Sequence, residues 1–270
     1  MNVKDKTIVV TGGGNGLGRA LVTDLLERGA RVAAIDINKA ALNETSELAG
    51  KHTKNLLTLV ADITDRNAVE NLPEQVIAKF NSVDGIINNA GIIQPFIKVN
   101  DLSYQTIDRV MNVDFYGTLH ITKAFLPYLL KRSEAHIVNV SSMGGLFPVP
   151  GQGIYGAAKS AVKLLTESLQ AELENTTVKV TLVFPGGIET DIKFNSGAEK
   201  NQKDNNASKK AAIQPLKPAK AAQLIINAME KNKDRILIGT DIRMMNFIHQ
   251  LSRRMAIRLI NKQMKTHIPD

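Results

Sequence analysis

The sequence predicts a single doubly wound α/β domain: a seven-stranded parallel sheet with helices on both faces, followed by a C-terminal helical extension. Three observations predict it. Short Val- and Ile-rich runs without polar alternation recur along the chain, as strands buried on both faces require. Longer helical patterns separate these runs, and strand–helix alternation implies right-handed crossovers between parallel strands. No Pro- or Gly-rich linker and no repeat interrupts the 270 residues, so the length is used in one domain. The main domain is set at 1–240 and the extension at 241–270.

The expected strands lie at 7–11, 31–36, 56–61, 85–89, 135–141, 179–184 and 235–238. The expected helices lie at 17–28, 39–49, 66–80, 104–131, 154–174 and 218–231. Residues 195–210 are polar, rich in Asn and Lys and without a large apolar side chain, and read as a mobile loop.

Composition excludes several classes of function. Apolar residues at 43% and charged residues at 22% exclude a disordered chain. The absence of Cys excludes disulfides, thiolate metal sites and cysteine nucleophiles, and no metal site is expected. No apolar run approaches the roughly 20 residues of a membrane span. Met1 to Lys6 lead straight into the first strand without a signal-peptide core, so a cytoplasmic protein is expected. The net charge of +8 is confined to two segments. Residues 196–220 hold six Lys against two carboxylates, and residues 241–270 hold six Lys or Arg against two. With aromatics at 4% and no recognition motif, nucleic acid is not an expected partner.

The first strand runs into Thr11-Gly12-Gly13-Gly14-Asn15-Gly16-Leu17-Gly18. Such a turn lets the backbone approach a pyrophosphate, whose charge the following helix N-terminus stabilises. Its G-x-x-x-G-x-G spacing differs from the common dinucleotide fingerprint. Asp36 ends the second strand, where a carboxylate can accept hydrogen bonds from both adenosine ribose hydroxyls and repel a 2′-phosphate. Neither Asn15 nor Ile37 offers that phosphate a positive charge, so NAD(H) is expected over NADP(H). Asp62 and Ile63 follow the third strand, on the side where adenine would lie. Asp36 and Asp62 read alternatively as caps of the helices that follow them.

Tyr155 and Lys159 stand four apart on one face of a helix. A phenol with a pKa of about 10 is a poor base at neutral pH. A neighbouring ammonium lowers that pKa, so the pair can exchange a proton with an alcohol or ketone. Ser142, just past the fifth strand, has a hydroxyl suited to polarising a carbonyl, and its neighbour Ser141 is the alternative donor. Asn112 interrupts a long helical pattern, which points to a local irregularity or a buried polar contact.

Taken together these residues resemble the short-chain dehydrogenase/reductase family. The matching pieces are Thr11-Gly12-x-x-x-Gly16-x-Gly18, Asp62, Asn88-Asn89-Ala90-Gly91, Asn112, Ser142, Tyr155-Gly156-Ala157-Ala158-Lys159 and Pro185-Gly186-Gly187-Ile188-Glu189-Thr190. They span roughly residues 5–240 in family order. The resemblance implies a Rossmann-like NAD(P)-dependent oxidoreductase with a tetrad of Asn112, Ser142, Tyr155 and Lys159. Tyr155 would be the acid/base and Ser142 would orient the substrate oxygen. Lys159 would tune Tyr155 and hold the nicotinamide ribose, and Asn112 would anchor a relay water. Asn89 and Gly91 would line the cofactor cleft, with Ile188 and Thr190 against the nicotinamide. It also implies a homo-oligomer, a dimer or tetramer built through the helices at 104–131 and 154–174.

The family places substrate beside Ile93, Phe96, Leu146, Phe147, Gln152, Ile192 and Phe194, with a substrate loop at about 190–215. These side chains are mostly apolar, so a lipophilic secondary alcohol or ketone of steroid, retinoid or long-chain type is expected. In the extension, Met244, Ile248, Leu251, Met255 and Leu259 recur at helical spacing beside Arg254, Arg258 and Lys262. A basic amphipathic helix of this kind packs against a second subunit, covers the substrate pocket, or lies on an anionic membrane surface. The competing functions are a non-catalytic dinucleotide-binding scaffold or redox-sensing regulator, and another dinucleotide-fold enzyme such as a methyltransferase.

Overall fold

The computed structural model describes residues 1–190, 192, 196 and 215–264. Phe194 and all of the 195–210 segment except Ser196 lie outside the described residues. The strands are β1 (Thr7–Thr11), β2 (Arg31–Asp36), β3 (Leu56–Val60), β4 (Gly85–Asn88), β5 (Ala135–Val140), β6 (Val178–Pro185) and β7 (Arg235–Ile238). They form one parallel sheet in the order β3-β2-β1-β4-β5-β6-β7. The order reverses between β1 and β4, which opens a crevice at the carboxyl ends of those strands.

The helices are α1 (Gly16–Glu27), α2 (Lys39–Ala49), α3 (Arg66–Glu70), α4 (Leu72–Phe80), α5 (Tyr104–Met111), α6 (Thr118–Leu129), α7 (Gly153–Glu172), α8 (Pro218–Glu230), α9 (Thr240–Leu251) and α10 (Arg253–Met264). Successive strand residues point to opposite faces, and the core divides accordingly. Ile8 and Val10 of β1 pack with Leu21 and Leu25 of α1 and Ile225 of α8. Val9 packs on the other face with Phe125 and Leu129 of α6. Each such side chain fully withdrawn from water contributes about 1.5–3 kcal/mol.

Two expected helices are interrupted. The 66–80 pattern breaks at Asn71, and Pro73 falls in the first turn of α4, where its missing N–H costs nothing. The 104–131 pattern is interrupted by a π-helical turn, Asn112–Gly117, between α5 and α6. The irregularity therefore begins at Asn112, where the sequence pointed.

The extension forms two helices separated by extended Ser252. Its packed face differs from the expected stripe. Ile242, Met245, Ala256 and Ile260 are buried, whereas Met244, Leu251, Met255 and Leu259 are exposed, as is Phe247. Of the expected stripe, only Ile248 joins the small core formed with Phe147, Leu182 and Phe184. Met244 and Leu251 of α9 and Met255 and Leu259 of α10 all lie off the packed face, so the single helical period expected over 241–270 selects the wrong face on both sides of the break at Ser252. Among the described residues, no helix is long and apolar enough to cross a membrane.

Candidate active site

A cleft of about 760 Å³ runs along the carboxyl ends of the strands, from Asp36 after β2 to Tyr155 at the start of α7. Its size suits a small-molecule or cofactor site. At one end Gly12 turns with φ +68°, a conformation L side chains rarely adopt. No side chain caps α1, so the N–H groups of its first turn and the positive end of its dipole are available to an anion. Gly16, Leu17 and Gly18 of that turn line the cleft. Thr11 Oγ1 accepts from the N–H groups of Asn89 and Ala90 at 3.0 and 3.1 Å, and Asn89 Nδ2 donates to the Thr11 carbonyl. These bonds fasten the end of β1 to the end of β4.

Asp36 accepts from the N–H groups of Gly14 and Asn38, each at 2.9 Å, and its carboxylate faces the cleft. The cap of α2 is Asn38, which accepts from Ala41. Asp62 accepts from the N–H and hydroxyl of Thr64, both at 2.8 Å, and Asp65 caps α3. Neither cleft carboxylate is thus the cap of the helix that follows it.

At the other end Tyr155 and Lys159 project from α7, with Lys159 Nζ 5.9 Å from the Tyr155 ring centroid. Ser142 lines the cleft with Tyr155 and lowers the phenol pKa that burial raises, and its Oγ accepts from the Gly144 N–H at 3.1 Å. Ser141 instead donates to the Lys159 carbonyl at 2.8 Å and is buried, which makes Ser142 the cleft-facing hydroxyl of the two. Gln94 is fully buried and its Oε1 accepts from the N–H groups of Ile154 and Tyr155 at 2.9 and 3.1 Å. It thereby supplies the acceptor that the N-terminus of α7 lacks and fixes the turn carrying Tyr155. A buried polar chain completes the frame. Asn88 donates to Thr122 and Asn139, and Asn139 donates to Thr166, which links α6, β4, β5 and α7.

The family model for short chain dehydrogenases matches residues 6–201. The chain belongs to the short-chain dehydrogenase family. It is 34% identical over 261 residues to the putative oxidoreductase SadH of Mycobacterium tuberculosis, covering 94% of both chains. It is 32% identical over 243 residues to dehydrogenase/reductase SDR family member 7B of Bos taurus, covering 88% of this chain and 74% of the relative. A solved short-chain dehydrogenase/reductase from Burkholderia phymatum in complex with NAD superposes with a TM-score of 0.82 at 25% identity, over 93% of this chain and 96% of that one. The protein is accordingly a short-chain dehydrogenase/reductase with the family's dinucleotide fold.

Within this family frame, Gly12, Asn15, Gly16, Leu17, Gly18, Asp36, Asp62, Ile63, Asn89, Gly91, Tyr155, Lys159, Ile188 and Thr190 all line the one cleft. Asn112, expected to anchor a relay water, opens the π turn and lines the cleft. The residue that meets Lys159 is Asp114, two positions on, with Oδ1 at 2.9 Å from Nζ and no solvent exposure. A charged residue inside the apolar run Val113-Asp114-Phe115 was the available signal, because a buried carboxylate requires a partner. Burial pushes the Asp114 pKa up while Lys159 opposes it, and Lys159 in turn is held above its ordinary range by Asp114 and Tyr155 against its own burial.

The expected substrate side chains divide. Ile93 and Ile192 line the cleft. Leu146, Phe147, Gln152 and Phe96 are not among its lining residues. Leu146 and Phe147 face the core under α9 and α10, where the Phe147 ring lies 5.2 Å from that of His249. Gln152 is buried and donates to the Gln94 carbonyl at 2.7 Å, which makes it part of the α7 frame. Sequence reasoning also missed Arg109, which lines the cleft and donates to the Ser196 carbonyl at 3.3 Å. It missed Asp241, which accepts from the Gly187 N–H at 2.7 Å and ties α9 to the loop bordering the cleft.

Proposed function

We propose that this protein is an NAD(H)-preferring dehydrogenase/reductase acting on a lipophilic secondary alcohol or ketone, with Tyr155 as its acid/base. The observation that carries this reading is the convergence of Ser142, Tyr155 and Lys159 at one end of a cleft whose other end is the glycine turn. The turn and the uncapped α1 N-terminus suit the pyrophosphate, Asp36 the adenosine ribose, and Asp62 and Ile63 the adenine. Lys159 suits the nicotinamide ribose, and Ile188 and Thr190 the ring, because all three line the same cleft. When bound, the dinucleotide supplies the hydride or accepts it. Ser142 holds the substrate oxygen, Tyr155 gives it or takes from it a proton, and the Lys159 charge makes that exchange feasible.

NAD preference is supported by Asp36 and by the lining charges. The only lining cations among the described residues, Lys159 and Arg109, belong to α7 and α5, away from the ribose end. A lipophilic substrate is supported by Ile93 and Ile192 among the residues lining the cleft. Homo-oligomerisation is supported by apolar side chains left exposed on the helical segments the family uses, namely Tyr104, Tyr116, Leu130 and Leu164. Peripheral contact with an anionic membrane is supported by the exposed Phe247, Leu251 and Met255 beside Arg253, Arg254, Arg258 and Lys262. A second copy docked isologously there would bring like charges together.

The decisive assay is NADH formation from NAD⁺ with a panel of lipophilic secondary alcohols, and NADH consumption with the matching ketones, beside Tyr155→Phe. Turnover falling about 10²–10⁴-fold in the variant, with NADH still bound, is the expected result. NADH binding without turnover by wild type in either direction would favour a dinucleotide-binding scaffold.

A further inference from the structure

Asn15 occupies the N-cap position of α1, yet its side chain does not cap the helix. Asn is among the best capping residues, its side-chain oxygen ordinarily accepting from the N–H two or three positions on. Here those donors belong to Leu17 and Gly18, which are buried and line the cleft. The Asn15 backbone behaves as an N-cap should, its carbonyl accepting from the Arg19 N–H at 3.0 Å. The side chain is diverted: Asn15 Oδ1 accepts from Arg19 Nη2 at 3.3 Å. An amide turned the other way would set donor against donor, so the orientation is fixed.

Arg19 is not a lining residue, and its guanidinium is held by α2 and by the turn itself. Nε donates to the Gly14 carbonyl at 2.8 Å and to Thr45 Oγ1 at 3.1 Å. Nη2 also donates to the Ala41 carbonyl at 3.3 Å and to Glu44 Oε2 at 2.7 Å. Thr45 is fully buried and donates in turn to the Gly13 carbonyl at 3.1 Å, so the anchor is rigid. Glu44 offsets the Arg19 charge, so the arrangement offers an anion geometry rather than a bare cation.

We propose that Arg19 is a positioning residue for the dinucleotide: by holding Asn15 Oδ1 it keeps α1 uncapped, so that the Leu17 and Gly18 N–H groups stay open to the pyrophosphate. This assignment rests on the dehydrogenase reading above. An Asn15 oxygen seated on either N–H would have to be displaced by the pyrophosphate before the helix N-terminus could receive it. Bound to Arg19, the carboxamide leaves its Nδ2 donors, and not its acceptor, for an anion.

The test is the sign of one substitution in two backgrounds, with NADH binding read by fluorescence. Asn15→Ala is expected to weaken binding in wild type, where the amide is a donor, and to strengthen it in Arg19→Met, where the freed side chain competes as a cap. The gain in the second background should be about fivefold in Kd, the worth of one Asn cap, about 1 kcal/mol, at about 1.4 kcal/mol per tenfold. A lost charge or a loosened turn produces no such inversion. A neutral or harmful Asn15→Ala in Arg19→Met overturns the inference, and so does a gain from it in wild type. The second readout uses wild type alone and stands even if the Arg19 variant does not fold. The Leu17 and Gly18 backbone amides should exchange freely with solvent deuterium without NADH and become protected when it binds. Amides protected before NADH is added overturn the inference, as do amides left unprotected once it is bound. Wild type that binds no NADH would sink the dehydrogenase reading as well, whereas the other adverse outcomes leave that reading standing.

Discussion

Replacing Asp36 by Asn should open the cleft to NADP(H), and the size of the effect follows from the structure. Asp36 is half-exposed and faces the cleft, so its repulsion of a ligand phosphate acts in a medium close to water. A unit charge at about 4 Å in water contributes about 1 kcal/mol, and a 2′-phosphate near neutral pH carries about two. Removing the carboxylate charge should therefore favour NADP(H) by about 2 kcal/mol, or about 30-fold in relative kcat/KM. The Asn amide oxygen can still accept from either Gly14 or Asn38, whose N–H groups lie 2.9 Å from the present carboxylate oxygens, so the turn should survive. The assay is kcat/KM for NADP⁺ and NAD⁺ with one alcohol, wild type beside variant, at two salt concentrations. The gain should be smaller in the higher salt, because exposed charges are screened. A cofactor ratio unchanged within twofold would refute the argument and place the ribose away from Asp36.

Three further outcomes are expected. Burial, with the positive N-terminus and Lys179 adding to it, holds the His136 imidazole neutral down to about pH 3, against 6.5 when unfolded. The unfolded state therefore binds the extra proton below pH 6.5, so this stabilisation is complete above that pH and falls by about 1.4 kcal/mol per unit toward pH 3. Urea unfolding of wild type and His136→Gln across pH 4–7 should show the slope in the former and a flatter one in the latter; parallel slopes would contradict it. Gly91→Ala should cost about 1–3 kcal/mol of stability by crowding the Asp114–Lys159 pair, and should lower kcat, as thermal melts and steady-state rates will reveal. The full chain should float with vesicles containing anionic lipid and not with zwitterionic ones, and Phe247→Glu with Leu251→Glu should abolish this. Flotation indifferent to lipid charge or to the substitutions would discard the membrane reading, and a change in oligomeric state alone would assign the face to a second copy.

The sheet was legible in the sequence because the strands are short, Val- and Ile-rich runs without regular polar alternation, each bounded by the turn that ends it. Strands β1, β2 and β7 match their expected bounds, β3, β4 and β5 end one residue earlier than expected, and β6 is longer by one residue at each end. The glycine turn, Asp36, Asp62, Tyr155 and Lys159 were legible for a similar reason, since each sits next to a strand end or in the first turns of a helix, where local sequence dictates position. What escaped were side chains whose role depends on a distant partner. Phe147 and Gln152 lie close in sequence to Ser142 and Tyr155, yet Phe147 turns toward His249 and Gln152 toward Gln94. Asp114 sits in the π turn two positions after Asn112, and its choice of Lys159 as partner depends on that distant helix.

That last choice bears on how the site is held together. Asp114 and Gln94 both act on α7 from outside it: one pairs with Lys159, the other accepts from the Ile154 and Tyr155 N–H groups a turn earlier. The polar chain from Thr122 through Asn88 and Asn139 to Thr166 fixes the same helix further along. Each member is buried, so an unmatched partner would carry its desolvation penalty, about 1–3 kcal/mol for a neutral group and more for a charged one. These contacts are therefore expensive to leave unmade, and together they bring α7 to one position on the sheet. Tyr155 is thus placed relative to the glycine turn by three buried polar attachments, whereas the described part of the segment after β6 is held by the Ile188–Leu216 bridge, by Asp241, and by the bonds of Ser196 to Ile93 and Arg109. The division suits a dehydrogenase/reductase whose α7 side chains are held fixed on the sheet while the loop is left free to differ.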